Sequence, residues 1–234
     1  MTKRLWATML LATTLGMTAA TGNAACTDSS AEGGNSPSCG MIRADKNDPV
    51  MRIDKTGNYD RLEMRAIGEV FYTQSAVPTF KVYGPSEIVD ALDVNCDNGT
   101  LTIDCQTEQG SGKDFKNIRI YISSPSLEYV RIDGIAEFYA EDRWEADNPV
   151  FMLDGIGKLR VHDLRCKTLD VIVEGIGDAE INVHCDTIRT SNHGIGKIKL
   201  RGETQSLTRY KAGIGKTYTK GLKVGDNRSG NAHN

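Results

Sequence analysis

Three carboxylates recur at nearly constant spacing in the second half of the chain. They are Asp133, Asp154 and Glu174, and the same interval then brings His193 and Ala212. Acids held ~4.8 Å apart by stacked strands repel by ~1 kcal/mol per neighbour in water and ~3.5 at an effective dielectric of 20. Such a ladder needs relief from water, from Lys158 or from a cation, and calcium accepts carboxylates of this kind. It would equally suit acid–base cleavage of a polysaccharide. The plain alternative is a solvated face.

Other chemistry is weaker. His162, Cys166, His184 and Cys185 are zinc-type ligands. Strand alternation sends His184 outward and Cys185 inward, so they cannot share one ion. Gly215-Lys216-Thr217 fails as a phosphate loop because Tyr210 stands where that motif needs glycine. Neither a metalloprotease helix nor a nucleophile elbow is present. No catalytic residue and no cofactor is therefore expected, with calcium the one candidate.

Two sets of residues could bind without catalysis. Trp144 follows Arg143 in an acid-rich segment. An exposed tryptophan there could stack on a sugar ring, whereas a packed one would only fill a core. Lys211, Lys216 and Lys220 lie in a basic stretch: residues 197–228 carry nine basic and two acidic residues, against seven and fourteen in residues 126–196. They could meet an anionic glycan or lipid head group, or cap the end of a fold against stacking.

The elements that must position these residues come from a repeat. Gly-Ile-Gly stands at Gly155–Gly157, Gly175–Gly177, Gly194–Gly196 and Gly213–Gly215, with Gly134-Ile135-Ala136 a fifth copy and Ala66-Ile67-Gly68 a sixth. From Gly134 the starts are 21, 20, 19 and 19 residues apart. Around each copy apolar residues alternate with polar ones, the period of half-buried strands. Units of about 20 residues made of strands and glycine corners suit a parallel β-helix, one unit per coil. The glycines are expected to turn each corner at positive φ. Ile135, Ile156, Ile176, Ile195 and Ile214 are expected to form an interior stack. Glu137, Lys158, Asp178, Lys197 and Lys216 should form an outward ladder, with alternating sign over the first four. Cys166 and Cys185 fall at matching inward places on adjacent rungs, within disulfide range, so a disulfide is expected, with a stack of free buried thiols as the alternative. The first half is less regular, and Asp97-Asn98-Gly99-Thr100 predicts an antiparallel hairpin.

Composition agrees with a globular β protein. Of 234 residues 39% are hydrophobic, 25% charged and only 6% aromatic, with 24 glycines and a net charge of −3. That excludes a collagen, a coiled coil, a polytopic membrane protein and a strongly basic nucleic-acid binder. Lys3 and Arg4, an apolar run from Leu5 to Met17 and small residues up to Ala25 read as a signal peptide over 1–25. Residues 26–48 read as a flexible tether, 49–224 as the β-helical domain and 225–234 as a disordered tail. Ala24-Ala25-Cys26 resembles a lipoprotein cleavage site, which would make Cys26 a lipidated N-terminus, although Asn23 departs from the pattern. The protein is thus expected outside the cytoplasm: in a bacterial periplasm, at the outer membrane or on the cell surface.

Several ordered features carry a resemblance. They are the export signal, the Asn98-Gly99-Thr100-Leu101-Thr102-Ile103 hairpin, the strand led by Ser126-Leu127-Glu128-Tyr129-Val130, and the Gly-Ile-Gly corners. Together, over roughly residues 50–224, this organisation resembles the "putative auto-transporter adhesin, head GIN domain" family. The resemblance implies a right-handed β-helix on a bacterial envelope and suggests adhesion; it brings no catalytic residues. The expected function is an adhesin or glycan-binding surface module, with cell-surface molecules as partners and no nucleic acid. The rivals are a polysaccharide lyase or hydrolase on the same fold and a ligand-free structural protein.

Overall fold

A computed structural model of the chain describes residues 49–105 and 117–225. The readings made for residues 1–48, including the signal peptide and Cys26, and for the tail beyond residue 225 lie outside them.

The described residues form a nearly all-β solenoid of about five turns, with coils of about 20 residues. Each coil starts at a glycine corner and lays one strand on each of two long faces. Face A comprises β7 (Arg119–Ser124), β3 (Ile67–Gln74), and the first halves of β9 (Ile135–Glu145), β11 (Ile156–Val173), β12 (Ile176–Asn192) and β13 (Lys197–Lys211), then β14 (Lys216–Tyr218). These strands pair in parallel in that order. Face B comprises β6 (Thr100–Cys105), β2 (Arg61–Met64), β8 (Tyr129–Ile132), β10 (Val150–Leu153) and the second halves of β11, β12 and β13, again parallel. A short face C joins the two, and β15 (Leu222–Val224) extends it by pairing with Gly202–Thr204. Ala66-Ile67-Gly68 is the first corner, because Ile67 pairs with Ile135 and Gly68 with Ala136.

The N-terminal end is closed by antiparallel strands. β4 (Thr79–Pro85) pairs with β7, and β1 (Pro49–Asp54) pairs with β4. β5 (Leu92–Asp97) pairs with β6 across Asn98 and Gly99, at φ 48° and 77°, the two-residue turn that the sequence predicts. The one described helix, α1 (Ser86–Ala91), is fixed by Arg52, whose Nη1 donates to Val89 O and Leu92 O at 3.0 and 2.8 Å.

Inward side chains form columns along the solenoid. On face B one column runs Leu101, Leu62, Val130, Phe151, Val171, Thr190, Arg209. Its neighbour runs Ile103, Met64, Ile132, Leu153, Val173, Asn192, Lys211. The aliphatic and aromatic members are fully buried, each worth roughly 1.5–3 kcal/mol on leaving water.

Two expectations about the corners are overturned. First, Gly134, Gly155, Gly157, Gly175, Gly177, Gly194, Gly196, Gly213 and Gly215 do not adopt positive φ. They are glycines because rungs approach closely. A Cβ on Gly155 would lie 2.0 Å from Gly134 O, and one on Gly175 2.1 Å from Gly155 O. Second, the corner isoleucines are not interior. Ile135, Ile156, Ile176 and Ile195 are 50–52% exposed and Ile214 77%. Strand parity decides this. Ile176 opens β12 two residues before Asp178 and four before Glu180, so it shares their outward side. The inward place beside it falls to Gly177, where backbone of the rung below leaves no room for a side chain.

Candidate functional site: an isoleucine-lined groove on face A

Face A carries three parallel outward ladders. The first is apolar: Ile67, Ile135, Ile156, Ile176 and Ile195 in rung register, followed by Ile214 at the next corner. Two residues along each strand comes an ionic ladder: Arg119, Glu69, Glu137, Lys158, Asp178, Lys197, Lys216. Two further on comes Tyr121, Phe71, Tyr139, Arg160, Glu180, Lys199, Tyr218. Between the first two lies a groove of ≈ 960 Å³. Its floor is the bare backbone of Gly68, Gly157, Gly177 and Gly196, and Ala136 interrupts it. A Cβ at Gly157 would sit 1.7 Å from Ala136 O, and one at Gly196 1.8 Å from Gly177 O.

The ionic wall is cross-tied. Lys158 Nζ bonds Glu137 Oε1 at 3.0 Å, Arg119 pairs with Glu69 at 3.6 Å, and the Lys197 amide donates to Asp178 Oδ1 at 2.8 Å. The sign alternation read from the sequence is realised as an ion pair in the first of these contacts, whereas Lys197 meets Asp178 through its backbone amide. The Tyr139 hydroxyl donates to Glu137, and this bond, with Lys158, holds the Glu137 carboxyl below the usual range against partial desolvation. Burial and the same carboxylate push Tyr139 up to about 12. Lys199 bonds Glu180 and lowers its pKa. The Phe71 ring stacks between Tyr121 and Tyr139, at 5.2 Å from each, and Arg160 lies 5.8 Å from the Tyr139 centroid. Both faces of Phe71 are covered, one by each tyrosine. Long polar side chains thus stand in fixed rows beside an apolar row, an arrangement that can bind an elongated amphipathic ligand.

The residues singled out from the sequence fare differently. Trp144 is only 1% exposed, with ring centroids of Tyr72, Phe151 and Phe138 at 4.8, 5.2 and 6.1 Å. It opens the inward column of face C, so it cannot stack on a sugar. Arg143 beside it points outward, half exposed, and pairs with Asp163 at 3.0 Å. The two do not form one site.

In the acid ladder the countercharge beside the first two members is an arginine. Arg131 inserts between its first two members, 2.6 Å from Asp154 Oδ2 and 3.6 Å from Asp133 Oδ2. Partial burial disfavours the Arg131 cation, yet the bond and charge of Asp154, with the charge of Asp133, raise its pKa overall. Glu174 is exposed. Among the described residues no group of three or more His, Cys, Asp or Glu side chains could hold a metal ion. Relief comes from Arg131 of β8, two residues before Asp133, and Lys158 serves Glu137 instead.

Cys166 and Cys185 are rung partners, as expected, but both are free thiols. A hydrogen bond between them, with burial, pushes Cys166 up. The same bond, helped by Thr204, holds Cys185 down. Lys211, Lys216 and Lys220 are all exposed but belong to three places. Lys211 stands on an inward column of face B, Lys216 on the ionic ladder of face A and Lys220 in the turn between β14 and β15.

The groove itself was missed by placing its isoleucines inside. Counting strand parity from Asp178 back to Ile176 is the signal that finds it.

The matched family is read over the same rungs. The profile described as "Putative auto-transporter adhesin, head GIN domain" matches residues 58–229. The chain belongs to that family. Two crystal structures share the head GIN domain's fold. One is of a "putative adhesin" from Bacteroides fragilis NCTC 9343, with a TM-score of 0.61 and 20% identity, covering 73% of this chain and 96% of that one. The other is of a "putative adhesin" from Parabacteroides distasonis ATCC 8503, with a TM-score of 0.69 and 16% identity, covering 75% of each chain. No curated protein matches the sequence. The family description points to an extracellular or envelope setting in bacteria and to contact with cell-surface molecules.

Proposed function

We propose that this head GIN domain is a non-catalytic adhesive module that grips a linear glycan lying along the face A groove. One observation carries the reading: an isoleucine ladder, exposed from Ile135 onward, runs beside a cross-tied ionic ladder over a glycine floor. A hydrocarbon chain in that groove would strip water from Glu137, Lys158 and Asp178 without replacing its hydrogen bonds. A glycan would not, because its C–H faces suit the isoleucines and its hydroxyls suit the carboxylates and ammonium groups. Rungs at ~4.8 Å repeat the isoleucine contact for successive sugars of an extended chain, while the polar partner alternates between carboxylate and ammonium. Export through the segment 1–25, with Cys26 as a lipid anchor, would place the domain where such glycans occur.

A broad glycan array probed with the protein and with the double variant Ile156→Asp/Ile176→Asp tests this. Saturable binding that survives moderate salt and disappears in the variant is the expected result. A blank array, or a hit indifferent to the variant, would overturn the glycan reading. Release of unsaturated or reducing ends from acidic polysaccharides would restore the enzyme alternative.

A further inference from the structure

We infer that the C-terminal edge of face B is an acceptor for an extended partner peptide with acidic side chains at alternate positions. The last coil is incomplete in one place. Face A ends under β14 and face C under β15, but among the described residues no strand pairs with the far side of Thr208–Lys211. That segment pairs only with Arg189–Asn192, so one row of its backbone groups is open to strand addition.

The inward side chains set the partner. The two face B columns end Val171–Thr190–Arg209 and Val173–Asn192–Lys211. The step runs from aliphatic to neutral polar to cationic. Thr190 and Asn192 are 3% and 0% exposed, and Thr190 Oγ1 and Asn192 Oδ1 find no hydrogen-bond partner among the described residues. A strand with apolar inward residues would bury both cations unpaired and is rejected. A strand with Asp or Glu at positions i and i+2 would place one carboxylate over each cation. The basic surroundings, nine basic against two acidic residues over 197–228, steer the same partner.

Two occupants nearer at hand fit less well. A second copy stacking head to tail would present β5, whose inward Val94 and Cys96 would cover the cations. The chain's own sequence after Gly225, at the offset of 20 that relates Gly202 to Leu222, would bring Ser229 and Asn231, which carry no charge to meet them.

The test uses the full chain and three labelled peptides of equal length: acids alternating, the same acids contiguous, and lysines alternating. Fluorescence anisotropy should show binding of the alternating acidic peptide alone, and hydrogen exchange should slow at residues 208–211. Arg209→Glu/Lys211→Glu should weaken it at least about tenfold, while Lys216→Glu/Lys220→Glu should weaken it less. Equal binding of the contiguous peptide, an unaffected Arg209→Glu/Lys211→Glu variant, or no binding would overturn the proposal. So would concentration-dependent self-association abolished by that variant, which would assign the edge to a second copy.

Discussion

Threonine in place of Ile156, compared with threonine in place of Ile132, separates an outward isoleucine ladder from an inward one. Both changes keep β-branching and swap an ethyl group for a hydroxyl. Two carbons are worth about 1.6 kcal/mol when fully buried, at ~0.8 kcal/mol per CH2. Ile156 is 50% exposed, so roughly half of that is at stake, ~0.8 kcal/mol, and the new hydroxyl stays hydrated. Ile132 is 1% exposed. There the full ~1.6 kcal/mol is lost, and an unpartnered hydroxyl adds ~1–3 kcal/mol, for a total of ~3–4. At ~2–4 °C per kcal/mol for a domain of this size, Ile156→Thr should lower Tm by about 2–3 °C and Ile132→Thr by about 10 °C. Scanning calorimetry with parallel urea titrations measures both, the m-value checking that the denatured state is unchanged. A loss in Ile156→Thr as large as in Ile132→Thr would put the ladder inside the solenoid. The groove and the function built on it would then fall.

Three more outcomes follow from the same geometry. Gly175→Ala should destabilise by ~1–3 kcal/mol or more, because its Cβ would lie 2.1 Å from Gly155 O, whereas Gly225→Ala, with its nearest atom at 3.7 Å, should stay within about 0.5 kcal/mol in urea titration. Arg131→Met should cost ~1.5–3 kcal/mol, and adding Asp154→Asn should recover part of it; an additive double-mutant cycle would show that Arg131 does not hold the acid ladder. Glu137 titrates below its ordinary range in the fold, so its contribution is present above the unfolded pKa of ~4.3 and is lost as pH falls through the lower folded value. Glu137→Gln should therefore be less stable than the parent at pH 6 and flatter in Tm against pH between 6 and 3; an unchanged slope would refute the Tyr139–Glu137–Lys158 tie.

Much of the architecture was legible because it is periodic. The corner spacing gave the coils, Asn98-Gly99 gave the hairpin, and Ala66-Ile67-Gly68 marked the first rung from far upstream. The errors share one cause. Hydrophobicity alone points Ile156, Ile176 and their kin inward, whereas parity with Lys158 and Asp178 on the same strands points them outward. For Trp144 the packed alternative holds: it alternates with outward Glu145 and lies inside. Arg131 stands two residues before Asp133 in the sequence, but only the rung register brings it to Asp154. The thiols of Cys166 and Cys185 stack as the register requires, but register fixes neighbours and not their oxidation state.

The unequal corner spacings, 21, 20, 19 and 19 residues, have a single structural origin. Ala140, Val161, Ile181 and Leu200 share one rung position at the end of face A, and Trp144, Leu164, Val183 and Gly202 share the next inward position on face C. The steps between them are four, three, two and two residues, so all the variation in coil length falls at this second corner. The inward residue shrinks with the corner from Trp to Leu to Val, and the second two-residue corner carries Gly202, where a Cβ would lie 2.1 Å from Val183 O. A longer corner leaves a wider interior that needs an indole to fill it, and a shorter one leaves room for none. Taper therefore sits on face C and at the bulge, while the registers of face A and face B run on unbroken. That division lets the core narrow toward the C-terminal end without disturbing the straight outward ladders of the groove.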